Sequence, residues 1–304
     1  MAEQISRVGI VGLGAMGMGI AQSMLRGGLE VHAFDVRPDA LQTLAAAGAQ
    51  AAQSPAALAG RIDALVIVVV NAQQTEAVLF GEQGAAAHLK PGAIVIACAT
   101  VAPEFAEALG ARLTAMGLRF IDAPISGGAA RAASGEMSVM AAGAPEDFAR
   151  CERLFSVICS KLYRLGTQPG QGSKVKMINQ LLAGVHIAAA AEAMALGLRA
   201  GCDPDALYEV ISNSAGSSWM FQNRVPHILA GDYTPLSAVN IFVKDLGIVL
   251  DYAKKSVFPL PLSATAHQMF MQASAAGHGG EDDSAVIKLF PGITLPAARA
   301  GKPV

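Results

Sequence analysis

The chain has 304 residues, room for one large or two ordinary domains, and a formal net charge of -2, which offers no basic field for nucleic acid. Hydrophobic residues make up 53% and aromatics only 5%, a balance suited to helices packed through small residues around a buried parallel sheet. The segment Met1 to Arg7 is polar and runs into a strand, so no signal peptide is expected and the chain reads as cytoplasmic. Cys98, Cys151, Cys159 and Cys202 show neither CxxC nor Cys/His ligand spacing. No metal site is expected from them, and they read as small buried hydrophobes in a reducing compartment.

In chain order, Arg7 to Val11 is a short apolar strand that ends in Gly12-Leu-Gly-Ala-Met-Gly17. A helix follows over Ala15 to Arg26, stopped by Gly27 and Gly28, and Glu30 to Asp35 is the next strand. A GxGxxG run is weak alone, but between strand and helix, with an acid at the following strand end, it specifies a dinucleotide site. Gly12 permits the tight turn, Gly14 lets the backbone approach a pyrophosphate, and Gly17 lets helix and strand close. Leu13, Ala15 and Met16 complete a helix N-terminus whose N–H groups and partial charge attract phosphate. Asp35 is placed to accept from the ribose hydroxyls and repels a 2′-phosphate, which favours NAD. Arg37 argues the other way, as a phosphate ligand, unless it is a solvated loop charge.

A helix over Pro38 to Gly48 precedes Asp63 to Val70, a continuous apolar run of the kind a fully buried parallel strand needs. Asn71 closes it at the sheet edge where such folds bind ligands. After a helix over Gln73 to Leu79, the strand Ala93 to Ala97 leads to Thr100, which meets the nicotinamide end of a cofactor or serves as a turn residue. Pro103 to Met116 is helical, and Leu118 to Asp122 is a strand. The segment from Pro124 to Ala130 holds Ser126, Gly127 and Gly128, a nest of N–H groups for a carboxylate or a plain Gly-rich loop. Strands at Met137 to Ala142 and Leu162 to Leu165 flank a helix over Pro145 to Val157. The count predicts an α/β fold, a doubly wound parallel sheet of seven or eight strands with a small extension, ending at Gly166.

From residue 167 the pattern is all-helical. Gly170 opens a helix that reaches Ala200, with Lys176, Asn179 and Gln180 at i, i+3 and i+4 on one face. Leu181 to Leu198 is apolar enough to suggest a membrane, but it contains His186 and Glu192, and a mid-bilayer carboxylate costs about 2.5–3.5 kcal/mol. It reads as a helix buried in protein. Asp203 and Pro204 start another helix, Ser212 to Trp219 is a polar loop, and helices are expected over Met220 to Leu229, Asn240 to Ala253 and Leu262 to Ala275. Ser284 to Phe290 is a last turn, and Pro291 onward a tail.

A nicotinamide site needs a proton acceptor and a group to fix the substrate's charge. Lys176 is the candidate acceptor, provided that burial and positive charge nearby bring its pKa from about 10.4 toward 7–8. Asn179 and Gln180 then orient substrate hydroxyls, and Ser126 to Gly128 hold a carboxylate. Lys174 falls on another helix face and is expected at the surface. Lys244 is a second candidate, or a surface cation paired with Asp245. His186, His227 and His267 stand alone and read as structural, and Trp219 either walls the site or simply packs.

These motifs together resemble the β-hydroxyacid dehydrogenase family, which includes 3-hydroxyisobutyrate dehydrogenase and tartronate semialdehyde reductase. The resemblance rests on Gly12 to Gly17, Asp122 to Gly128, Gly170 to Lys176 with Asn179, and Phe242-Val-Lys-Asp-Leu246, in order along the chain. It implies a Rossmann domain over 1–166 that binds NAD. It implies an all-α domain over 167–304 for substrate and oligomerisation, and a homodimer or homotetramer. It makes Lys176 the catalytic residue, Ser126, Gly127, Gly128 and Asn179 substrate ligands, and Thr100 and Lys244 neighbours of the cofactor. The runs Leu181 to Ala188, Ser217 to Phe221 and Glu281 to Ala285 resemble a branch that oxidises the C2 hydroxyl of a four-carbon sugar acid. The rival expectations are a three-carbon semialdehyde reductase, a 3-hydroxyisobutyrate enzyme, an imine reductase and a catalytically dead binding module. Lys176 argues against the last two.

Overall fold

The computed structural model describes residues 4–297. Internal contacts divide the chain into two units, Met1–Lys176 and Met177–Val304. The first opens with β1 (Arg7–Val11), α1 (Ala15–Arg26), β2 (Glu30–Phe34), α2 (Pro38–Ala46), β3 (Gln50–Ala51) and α3 (Pro55–Ala59). It continues through β4 (Ala64–Ile67), α4 (Ala72–Phe80), β5 (Ile94–Ala97), α5 (Pro103–Ala115) and β6 (Arg119–Asp122). These six strands form one parallel sheet in the order β3-β2-β1-β4-β5-β6. Every residue of β4 and β5 is buried, as a sheet covered by helices on both faces requires. The strand order reverses between β1 and β4, which puts the ligand crevice at their carboxyl ends.

The strand count differs from expectation. β7 (Ile125–Ser126), α6 (Gly128–Ser134), β8 (Met137–Ala141), α7 (Pro145–Arg150), α8 (Glu152–Ile158) and β9 (Cys159–Arg164) follow β6. Among the described residues there are nine strands, and β7, β8 and β9 form a separate three-stranded sheet. The separation begins at Pro124, which has no N–H to continue the β6 ladder. Its carbonyl instead accepts the Met140 N–H at 2.9 Å. The expected helix over Pro145 to Val157 is broken at Cys151, where φ −93° and ψ 8° leave the helical region.

One buried carboxylate at the end of β6 decides where the next long helix starts. α9 (Gln171–Arg199) begins against Asp122, which is 2% exposed. The Asp122 oxygens accept from Gly170 N (3.0 Å), Ser173 N (2.8 Å) and Ser173 Oγ (2.7 Å). Gly170 and Ser173 supply N–H groups that a helix start otherwise leaves unpaired, so a residue about fifty positions away performs the capping. Burial pushes the Asp122 carboxyl up from its ordinary value, against the opposing pull of these hydrogen bonds.

The second unit holds the rest of α9, then α10 (Pro204–Ser212), α11 (Trp219–Ala230), α12 (Val239–Lys255) and α13 (Pro261–Ala273). Asp203 caps α10 through Ala206 N at 2.8 Å, as its position before Pro204 predicts. By length and composition α9 could cross a membrane, yet Ile187, Ala191 and Met194 lie in the unit's core with Phe242 and Phe270. Those two rings stack at 5.2 Å. The expected last turn is a core element: a 3-10 helix over Asp283–Leu289 with Ala285, Val286 and Ile287 fully buried. It is held by Arg224, whose Nε donates to Asp283 Oδ1 at 2.5 Å. Pro291 to Ala297 has no regular structure, and the rest of the expected tail lies outside the described residues. Cys98, Cys151 and Cys159 are buried, but Cys202 is exposed. It sits in the turn between α9 and α10, where no apolar element covers it.

Two outcomes follow from these carboxylates. Asp122→Ala leaves two N–H groups orphaned at the start of α9 and is expected to cost at least about 2 kcal/mol in denaturant unfolding. Burial pushes Asp283 up to about 6 from 3.8, outweighing the attraction of Arg224. A raised carboxyl contributes stability that is whole below pH 3.8 and is lost as pH rises through about 6. Urea titrations of the wild type and Asp283→Asn should therefore show the wild-type advantage shrinking across that window as pH increases.

Candidate active site

The glycine turn after β1 shows why each glycine is there. Gly12 has φ 96°, and a Cβ on it would lie 2.2 Å from the Val68 carbonyl oxygen. A Cβ on Gly17 would lie 1.9 Å from the Gly12 oxygen, so α1 closes directly on the turn. At Gly14 a Cβ would meet nothing within 4 Å; the turn is open on that side. Gly14 is the N-cap of α1 and no side chain caps the helix. Ala15 is exposed and Met16 half-buried there. An uncapped helix start beside an open glycine fits the pyrophosphate of a dinucleotide.

Asp35 stands just past β2. Its Oδ2 accepts the Leu13 N–H at 2.5 Å, and its Oδ1 accepts Arg37 N at 2.8 Å and Arg37 Nε at 3.1 Å. Partial burial works to raise its pKa, but the bonds from Arg37 and Leu13 outweigh it, so the carboxyl is lowered and ionised at neutral pH. Arg37 is thus a partner of Asp35 as well as a loop charge. Asn71 is the N-cap of α4 and accepts Gln74 N at 2.8 Å, which commits its carbonyl to the helix. Thr100 is half-buried between β5 and α5.

Ser126 and Gly127 are half-buried and Gly128 exposed at the start of α6. Gly127 has φ 138° and Gly128 φ 77°, backbone conformations that glycine adopts without the strain a side chain would bring. In the same unit Lys176 is 6% exposed, on the face of α9 that carries Ser173 and Met177. A Cβ on Gly172 would lie 2.4 Å from the Met140 oxygen and 2.8 Å from the Asp122 oxygen. The first turn of α9 therefore rides on strand carbonyls, and Lys176 is placed from a fixed base. Lys174 is exposed and pairs with Glu107 at 3.0 Å, as its helix face predicts.

Asn179, Gln180 and Lys244 belong to the second unit and join one chain of hydrogen bonds. Asn179 Nδ2 donates to Gln180 Oε1 at 3.0 Å, and Gln180 Nε2 donates to Asp245 Oδ2 at 2.5 Å. Lys244 Nζ donates to Asp245 Oδ1 at 2.5 Å. Gln180, expected to touch substrate, is 8% exposed and spends both ends of its amide inside the protein. Asp245 is 1% exposed, although in the sequence it stands out only as a neighbour of Lys244. Its signal was present: Phe242, Asp245, Leu246 and Val249 stand at i, i+3, i+4 and i+7, a carboxylate on an apolar helix face. Trp219 begins α11 and is 51% exposed. His227 and His267 each contact a backbone carbonyl, of Asp232 and Val243, in keeping with structural roles.

Comparisons with known proteins bear on the whole chain. Residues 7–166 match the family described as the NAD binding domain of 6-phosphogluconate dehydrogenase, and residues 170–290 the one described as NAD-binding of NADP-dependent 3-hydroxyisobutyrate dehydrogenase. A Cupriavidus necator protein called L-threonate dehydrogenase is 68% identical, covering 95% of this chain and 97% of its own. A protein of the same name from Escherichia coli strain K12 is 55% identical, covering 96% and 97%. The mitochondrial 3-hydroxyisobutyrate dehydrogenase of Mus musculus is 31% identical, covering 92% and 86%. Among solved structures, the 3-hydroxyisobutyrate dehydrogenase of Salmonella typhimurium has a TM-score of 0.90 at 55% identity, covering 93% of this chain and 99% of that one.

Proposed function

The chain belongs to the 3-hydroxyisobutyrate dehydrogenase-like family of NAD-binding dehydrogenases, and on that premise we propose that it oxidises the C2 hydroxyl of L-threonate to 2-dehydro-L-erythronate with NAD. The observation that carries the chemistry is Lys176, 6% exposed on a helix whose start Asp122 fixes. Support for the four-carbon acid comes from relatives of that name at 52–68% identity. In this reading the Ser126–Gly128 nest holds the substrate carboxylate. Lys176 Nζ takes the C2 hydroxyl proton while the C2–H bonding pair departs as hydride, and the C–O bond becomes C=O. Asn179 meets a second hydroxyl. Bound at the glycine turn, NAD supplies the hydride acceptor.

Asp35 supports NAD over NADP, because an ionised carboxylate at the ribose edge repels a 2′-phosphate. Thr100 and Lys244 belong to the cofactor end of the site, and Asn71 contributes there through its amide nitrogen. The reading includes nucleotide binding by 1–166, substrate binding and assembly by 167–304, and a cytoplasmic homodimer or homotetramer.

A panel of L-threonate and 3-hydroxyisobutyrate with NAD or NADP, and of tartronate semialdehyde with NADH or NADPH, tests this directly. L-threonate with NAD is expected to give the highest kcat/KM, and a higher value for either other substrate overturns the assignment. Lys176→Ala is expected to lower kcat by roughly a thousandfold while fluorescence titration shows NAD still bound; equal loss of both marks Lys176 as structural. Asp35→Ser should raise the KM for NAD about tenfold. It also releases Arg37, so the KM for NADP should fall.

A further inference from the structure

Two ends of an amide are chemically opposite, and a buried carboxylate settles which end of Asn179 faces outward. Asp245 is 1% exposed and accepts on both oxygens, from Lys244 Nζ and from Gln180 Nε2. An ionised carboxylate only accepts. Gln180 must therefore turn its NH2 toward Asp245 and its carbonyl oxygen toward Asn179. That oxygen only accepts too, so Asn179 must donate with Nδ2. The carbonyl Oδ1 of Asn179 is left as the end presented away from the chain. Reversing Asn179 alone would set oxygen against oxygen, and reversing both would set the Gln180 oxygen against the Asp245 carboxylate. The order runs one way only, as coupled networks of this kind enforce.

We infer that Asp245 is a positioning residue which, through Gln180, fixes Asn179 Oδ1 as a hydrogen-bond acceptor for the substrate, and so selects acids that carry a hydroxyl beside the carbon being oxidised. The inference rests on the proposed role of Lys176 and Asn179. Those residues stand one turn apart on α9, with Cβ atoms about 5–6 Å apart in such pairs. The spacing suits adjacent carbons, one hydroxyl giving its proton to Lys176 Nζ and the next donating to Asn179 Oδ1. A substrate without that second hydroxyl leaves the acceptor unpaired in a desolvated site, which is the strong form of discrimination. An Asn free to rotate its amide would accept or donate as required and discriminate less.

The test compares kcat/KM for L-threonate with that for 2,4-dihydroxybutanoate of the same C2 configuration, which lacks only the C3 hydroxyl. The wild type is expected to prefer threonate by roughly a hundredfold or more. Asp245→Asn keeps the shape but lets the amide order invert, and Gln180→Met removes the relay while keeping the Lys244–Asp245 pair. Both are expected to cut the preference about tenfold or more, and Gln180→Met, which keeps the Lys244–Asp245 pair, to leave the KM for NAD little changed. An unchanged preference in the folded variants overturns the inference, as does equal loss on both substrates. An effect of Asp245→Asn that Gln180→Met does not share also overturns it, since that would trace to a released Lys244. Wild-type inactivity on threonate is a failure of the proposed substrate instead. The same ratio is then taken between the acid that is oxidised and its counterpart lacking the adjacent hydroxyl, with the same outcomes deciding.

Discussion

The Asp122 carboxylate is the contact on which the placement of the proposed base depends. It terminates β6, and its two oxygens take the N–H groups of Gly170 and Ser173 together with the Ser173 hydroxyl. Those donors lie at Gly170 and in the first turn of α9, the stretch that must be rigid if Lys176, one turn further on, is to be reproducibly placed. A free helix end frays because its first N–H groups have no partner. Here they are answered by a side chain that is itself held at the end of a six-stranded sheet. Gly172 completes the contact, because a side chain there would collide with the Met140 and Asp122 carbonyls.

The glycine turn uses the same economy with the opposite aim. Gly12 and Gly17 are glycines because the chain packs against itself there, whereas Gly14 faces open space. Asp35 links this turn to the end of β2: its Oδ2 holds Leu13 N within the turn, while Oδ1 is engaged by Arg37. The Leu13 bond maintains the turn. The Arg37 side chain is 58% exposed, so its guanidinium is the more weakly held of the two partners.

The features legible in the sequence were those with local signatures. The strand–glycine–helix–strand unit, the fully apolar β4 and β5, and the Asp203-Pro204 helix start all carry their cause within a few residues. So does the spacing of Lys176, Asn179 and Gln180. What escaped depends on distant partners or on length. β3 and β7 are two residues long, too short for alternation to register. The division into two sheets turns on the missing N–H of Pro124. The 3-10 segment Asp283–Leu289 resembles a surface turn until Arg224 is seen to neutralise its first residue. Cys202 has the composition of a buried residue and the position of a turn residue, and position prevailed.

The amide residues show the same limit at the level of chemistry. Asn71, Asn179 and Gln180 are alike in the sequence, each a polar group at an expected ligand edge. The fold gives them three different tasks. Asn71 spends its oxygen capping α4, Gln180 is turned inward by Asp245, and Asn179 alone of the three keeps its carbonyl out of the internal hydrogen bonds. The difference arises from which neighbour is a pure acceptor, and a carboxylate on the apolar face of α12 is that neighbour. A buried charge of this kind is costly unless every oxygen is engaged. The need to satisfy Asp245 therefore imposes a direction on the Gln180 amide and, through it, on Asn179.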